Sequence, residues 1–172
     1  MFVHTSSSAG ELKQLFLTYC MQHKNQFLPE ILSTDSKLWL QQDIESYYKT
    51  TICAMMPKEH DYFTSEYRKY TLKKYNSVSV HDYDSKEYNI IKNHPQYNFL
   101  VDEIGDCCSF DAVEKAVNNC NYVSNKQREL MQTILHIQNF MRANTSKLFF
   151  FDISPANVAI HKNNIILLDP IC

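Results

Sequence analysis

From Glu11 onward the apolar residues Leu12, Leu15, Phe16, Tyr19 and Cys20 recur at helical spacing, so the pattern predicts an amphipathic helix with one buried stripe. Phe2–Thr5 ahead of it reads as a short strand, Ser6–Ser8 as a helix start signal, and His23–Asn25 as the helix end. Phe27–Leu32 and Lys37–Gln41 read as two strands joined by the polar turn Ser33–Ser36. No single pattern decides Ile44–Met56, and Pro57 breaks the chain after it. Glu59–Tyr75 is charged and aromatic and reads as a helix with a Tyr-rich buried stripe and a solvated basic face. Ser77–His94 is the most polar stretch and reads as an exposed insertion holding a short helix about Lys86–Lys92.

Tyr97–Val101 is a short apolar run, and Ser109 is placed to cap a helix beginning at Phe110. Ser124 opens the longest periodic helix, with Gln127 at the capping-box position, a stripe of Leu130, Ile134, Ile137 and Met141, and Asn144 at its close. Leu148–Phe151 then reads as a strand. Two apolar runs, Phe149–Ile160 and Ile165–Asp169, flank the turn His161–Asn164 and predict a hairpin that presents Asp152, Asn157 and Asp169 on one rim. In that hairpin Phe149, Phe151, Val158, Ile160, Ile166 and Leu168 should alternate with their neighbours and pack one face on Leu130, Ile134 and Ile137.

A chain of 172 residues is long enough for one substantial core. Its formal charge of −2 argues against a general nucleic-acid or acidic-membrane binder. No apolar run approaches the ~18 residues that span a bilayer, and the N-terminus has no basic region before an apolar block, so a cytoplasmic protein is expected. The six cysteines include no C-x2-C pair and are expected to be reduced. Glycine is the informative scarcity. With only Gly10 and Gly105, against an ordinary share of roughly 7%, no glycine-rich phosphate loop can be built. The abundance of Asn, Lys and Tyr points to an AT-rich genome, as in a virus or mobile element.

The order D-x4-N, strand, turn, strand, D, carried by Asp152, Asn157 and Asp169, resembles the catalytic and metal-binding loops of the protein-kinase-like phosphotransferases. The resemblance implies that Asp152 orients the acceptor hydroxyl and that Asn157 and Asp169 hold magnesium at the nucleotide phosphates. Phe150-Phe151 stands where typical members have His-Arg, and Asp169-Pro170-Ile171 replaces Asp-Phe-Gly. The Asp-Pro ending is similar to that of the early-expressed serine/threonine kinases of podophages. Read on their own, Asp152 and Asn157 are also residues that commonly satisfy their own turns beside Pro155, with Asp169 a polar chain end.

The same resemblance extends to the beginning of the chain, where strand, helix, Leu-Pro strand and hairpin strand follow the order of a kinase small lobe from its third strand on. Leu28–Leu32 then looks like the fourth strand, Leu38–Gln42 like the fifth, and Asp43–Tyr47 like the adenine-binding hinge. The family's third-strand lysine falls near His4, which is mostly neutral at pH 7 and no permanent cation. His4 and Glu11 read independently as a solvated strand residue and a first-turn acid.

The implied fold class is α+β, a truncated protein-kinase-like two-lobe arrangement of a small antiparallel sheet plus helices ending in a catalytic-loop-like hairpin. Residues 1–48 would be the remnant of the small lobe and residues 49–172 the helical lobe, with the polar insertion at about 77–94. Because the glycine loop, the strand lysine and everything beyond Cys172 are missing from this comparison, the expectation is a catalytically inactive, pseudokinase-like binding protein with no cofactor. Its implied partner is a host protein, RNA polymerase or a defence nuclease, bound in the host cytoplasm by a phage-encoded inhibitor without membrane or direct nucleic-acid contact. Exposed aromatic surface about Tyr62–Tyr75, or the insertion after it, is expected to carry the binding. The alternative is an atypical active phosphotransferase using ATP and magnesium, with Asp152 catalytic and Asn157, Asp169 and His4 at the cofactor, completed by a homodimer or partner chain. A third reading is an unrelated α/β inhibitor whose ending mimics the motif.

Overall fold

The computed structural model describes residues 1–4, 7–40, 66–76, 78, 84–105, 107–108 and 110–172. The expected hinge at Asp43–Tyr47, the stretch Ile44–Met56, the break at Pro57 and the residues Cys53, Tyr62, Phe63 and Ser109 lie outside them.

Strand β1 (Phe2–His4) leads into helix α1 (Ser8–Gln22), which Ser7 caps by accepting the Gly10 N–H at 3.0 Å. Its buried face comprises Leu12, Phe16, Leu17, Tyr19 and Cys20, so Leu17 joins the expected stripe while Leu15 sits at its edge. The two strands expected between Phe27 and Gln41 are instead one, β2 (Ile31–Leu40). Register shifts between Ile31 and Ser33 and between Thr34 and Leu38 take up the polar Ser33–Ser36 stretch, which therefore bends an edge strand rather than reversing the chain.

The partner of β2 is β3 (Glu66–Leu72), in the segment whose composition predicts a helix. Tyr67 and Tyr70 fit a helical step of three, but β3 lies between β1 and β2 in an antiparallel sheet of order β1-β3-β2 and satisfies its backbone on both sides. Tertiary pairing of a Tyr- and Thr-bearing segment overrides the local period. The sheet therefore takes its central strand from beyond residue 48, and Tyr70, expected within the exposed aromatic surface, is buried at 1%.

Helix α2 (Lys86–Lys92) stands where the polar insertion predicts it, capped by Ser85. The apolar run Tyr97–Val101 belongs to α3 (Pro95–Ile104), started by Pro95 in its first turn and ended at Gly105, whose φ of 80° suits a residue without a side chain. A two-residue strand β4 (Cys107–Cys108) and helix α4 (Phe110–Asn119) follow. Helix α5 (Asn125–Asn144) has the expected capping box: Ser124 Oγ accepts the Gln127 N–H at 3.2 Å and Gln127 Oε1 accepts the Ser124 N–H at 3.0 Å. Leu130, Met131, Ile134, Ile137 and Met141 are all fully buried on it, and α1 and α4 pack against it.

The end of the chain departs from one continuous hairpin. Only Phe151–Asp152 forms a strand, β5, and it pairs with β4, while Leu148 is 83% exposed. After a 3₁₀ turn at Pro155–Asn157, β6 (Val158–His161) and β7 (Asn164–Leu167) make a tight antiparallel hairpin. Lys162 and Asn163 take φ of 49° and 61° in its two-residue turn, the left-handed geometry whose twist matches a hairpin. The strict alternation expected there fails because Val158, Ala159, Ile165, Ile166 and Leu167 are all buried, so both faces are covered. Its flanking helices are chiefly α2 beside β6 and α3 beside β7, rather than the stripe of α5. Gln96 of α3, itself buried, accepts the Ile165 N–H at 2.8 Å, and the Phe27 carbonyl accepts the Leu167 N–H at 2.8 Å. Among the described residues no helix is long and apolar enough to cross a membrane.

Candidate functional site

Asp152, Asn157 and Asp169 are brought together by backbone pairing at the open end of the β6–β7 hairpin. Asn157 is the hub. Its carbonyl accepts the N–H groups of Leu168 at 2.8 Å and Asp169 at 3.2 Å, and its side-chain amide donates to the Asp152 carbonyl at 3.2 Å. The Asp152 N–H donates to the Pro170 carbonyl at 2.9 Å, so the segments before and after the hairpin run side by side. Phe150 and Cys172 exchange backbone bonds at 2.9 and 3.1 Å, and Phe151 bridges Ile171, extending that pairing. Each of the three residues is half-buried.

Locally the arrangement follows from turn chemistry. The Asp152 carboxylate accepts the Ser154 N–H at 3.1 Å, an Asx turn, and Pro155 then starts the 3₁₀ turn that delivers Asn157. Phe151 and Ile153, both fully buried, anchor the loop on either side of Asp152. The turn-capping role that Asp152 and Asn157 have as ordinary loop residues is therefore filled, and the same bonds assemble the cluster.

Lys13, which sequence reasoning missed, completes the site. Its ammonium forms an ion pair with Asp169 Oδ2, both side chains being about a quarter to a third exposed at 26% and 32%. Lys147 pairs in the same way with Glu11, two residues before Lys13 on α1, tying that helix to the segment leading into β5. A signal for Lys13 exists in the sequence: it lies three, four and seven residues before Phe16, Leu17 and Cys20, so it borders the buried stripe and must meet whatever covers it. His4 is placed by its backbone alone, opposite Tyr67 in the β1–β3 ladder.

Asn157 and Asp169 are the residues the resemblance assigns to magnesium. One Asp169 oxygen, Oδ2, is engaged by Lys13, whereas Asn157 donates its amide nitrogen to the Asp152 carbonyl and so keeps its side-chain oxygen, the atom a cation would take, outside that bond. Magnesium requires near-octahedral oxygen coordination at short range, and a cation placed there would have to displace the lysine ammonium. Among the described residues no group of three His, Cys, Asp or Glu side chains gathers in metal-binding geometry. A divalent ion would have to compete with the Lys13 ammonium for Asp169, while the Asn157 oxygen lies outside the bond to Asp152. What these residues form is a polar cluster of two carboxylates and one ammonium, held by one ion pair and a set of hydrogen bonds that are mostly backbone. In comparisons with protein-family models, curated proteins and solved structures, nothing matches this chain.

Proposed function

We propose that this chain is a catalytically inactive, kinase-like binding protein that inhibits or modulates a host protein, in the manner of a phage-encoded takeover or anti-defence factor. The observation that carries the reading is the Lys13–Asp169 ion pair, which puts a fixed internal cation where a phosphotransferase would need an exchangeable one. Two further features support the kinase-like part. The chain runs strand, helix, strand, strand through β1, α1, β2 and β3, with Glu66–Leu72 rather than Leu38–Gln42 as the fourth member, and Asp152, Asn157 and Asp169 are linked around a short hairpin. The phage and host elements rest on the Asp-Pro ending and the composition alone.

The test has two arms. Purified protein incubated with γ-labelled ATP and magnesium or manganese should transfer no label to itself or to generic acceptors. Affinity capture from host lysate should retain one partner, RNA polymerase or a defence nuclease, equally with wild type, Asp152→Ala and Asp169→Ala. Label transfer abolished by either substitution would replace this reading with the alternative, an active phosphotransferase completed by a second chain.

A further inference from the structure

The loop between α1 and β2, the end of β3 and the turn of the β6–β7 hairpin enclose a cavity of about 560 Å³. It is separate from the polar cluster. Asn157 and Asp169 flank the open end of the hairpin, whereas His161, Lys162 and Asn164 form its turn end, and four residues per strand place the two ends roughly 10 Å apart.

Three lysines, Lys24, Lys73 and Lys162, line this cavity against a single carboxylate, Glu30. Lys73 is paired with Glu30 at 3.0 Å. Among the described residues no hydrogen bond or ion pair engages Lys24 or Lys162, and although Lys24 also acts on the Glu30 carboxylate through space, the lining holds two more lysines than carboxylates. The cavity wall also has an apolar part: Leu28 and Ile166 are buried in it, and the Tyr75 ring meets His161 edge-on at 5.5 Å.

Lys162 is fixed in place by the hairpin turn. It sits in the left-handed region at φ 49°, where glycine and asparagine are tolerated and a lysine costs on the order of 1 kcal/mol. Its neighbour Asn163 suits the turn, but Lys162 does not, and its side chain borders the cavity. The two-residue turn itself requires this geometry at both positions, and its consequence here is that the hairpin sets Lys162 at the rim of the cavity.

We propose that the cavity binds a small organic phosphate monoester, with its phosphate between Lys24 and Lys162 and its apolar or aromatic body against Leu28, Ile166 and the Tyr75–His161 pair. A phosphate monoester carries about −1.5 to −2 at neutral pH and so matches two free lysines, which a single carboxylate does not. The volume lies within the range of small-molecule sites, roughly 300–1,000 Å³. The proposal is independent of the reading of the polar cluster.

Titration calorimetry of the full chain with phenyl phosphate tests it, with inorganic phosphate and phenol as the two partial probes. Phenyl phosphate should bind more tightly than inorganic phosphate, phenol should not bind measurably, and added salt should weaken binding. Lys162→Gly relieves the turn while removing the charge. It should leave the thermal midpoint unchanged or higher yet weaken phenyl phosphate about tenfold, the loss of one charge-assisted contact, and Lys24→Met should weaken it similarly. Equal affinity in the wild type and both variants would overturn the assignment. So would equal binding of phenol, or inorganic phosphate binding as tightly as the ester.

Discussion

Lys13 and Asp169 stand 156 positions apart in the chain and meet as an ion pair, joining the first helix to the segment that follows the last hairpin. Neither side chain is fully exposed, so removing one leaves the other partly desolvated without its counter-charge. Lys13→Met should therefore destabilise the protein by about 1 kcal/mol, at the upper end for a pair of this exposure. Lys13→Met combined with Asp169→Asn should recover part of that loss, and denaturant titrations of the four proteins in a double-mutant cycle give the coupling. Additive losses would mean the pair contributes nothing.

Asn157 and Asp152 should respond unequally, although the kinase-like reading gives both a site role. Asn157→Ala removes the amide that donates to the Asp152 carbonyl and should cost about 1 kcal/mol. Asp152→Ala removes an acceptor for the Ser154 N–H in a half-buried turn, where water can substitute, and should cost about 0.5 kcal/mol or less. Asn157→Asp should be worse than Asn157→Ala, because it sets a carboxylate against a carbonyl oxygen. Urea midpoints order the three variants.

Ser124 caps the longest helix through a reciprocal pair of bonds with Gln127. Ser124→Ala should cost about 1 kcal/mol and Ser124→Asp much less, since Asp can still accept the Gln127 N–H. Thermal unfolding followed by helical circular dichroism reads the difference.

His94, buried at the start of α3, gives the fold an acid sensitivity. Burial pushes its imidazole below the ordinary value and Lys126 adds to the effect. Neither ring nitrogen has a hydrogen bond of good geometry, and Asn163 nearby offsets the shift only in part. Well above pH ~6.5 the residue is neutral in both states and contributes no pH dependence. As pH falls through that value the unfolded chain takes up a proton that the folded chain resists, so stability declines until the lower folded value is passed. His94→Asn should flatten this part of the stability profile between pH 7 and 5, and an unchanged slope would exclude His94 as its source.

Local signals in the sequence determined several elements outright. Ser124 and Gln127 marked the start of α5, the apolar stripe of Leu130, Ile134, Ile137 and Met141 marked its buried face, and α1 and α2 lie where period and polarity placed them. The turn at His161–Asn164 was legible from its flanking β formers. These features depend on residues within one or two turns of each other, which is the range over which capping, period and turn chemistry act. The tertiary structure alone decided the rest. Glu66–Leu72 became a central strand because β1 and β2 satisfy both of its edges, and a segment's own residues cannot report partners tens of positions away. The three residues picked out by their spacing were joined around a hairpin whose tightness the sequence announced. Lys13 reached Asp169 only because α1 packs beside the chain end, so the charge that defines the cluster was set by long-range packing rather than by any motif.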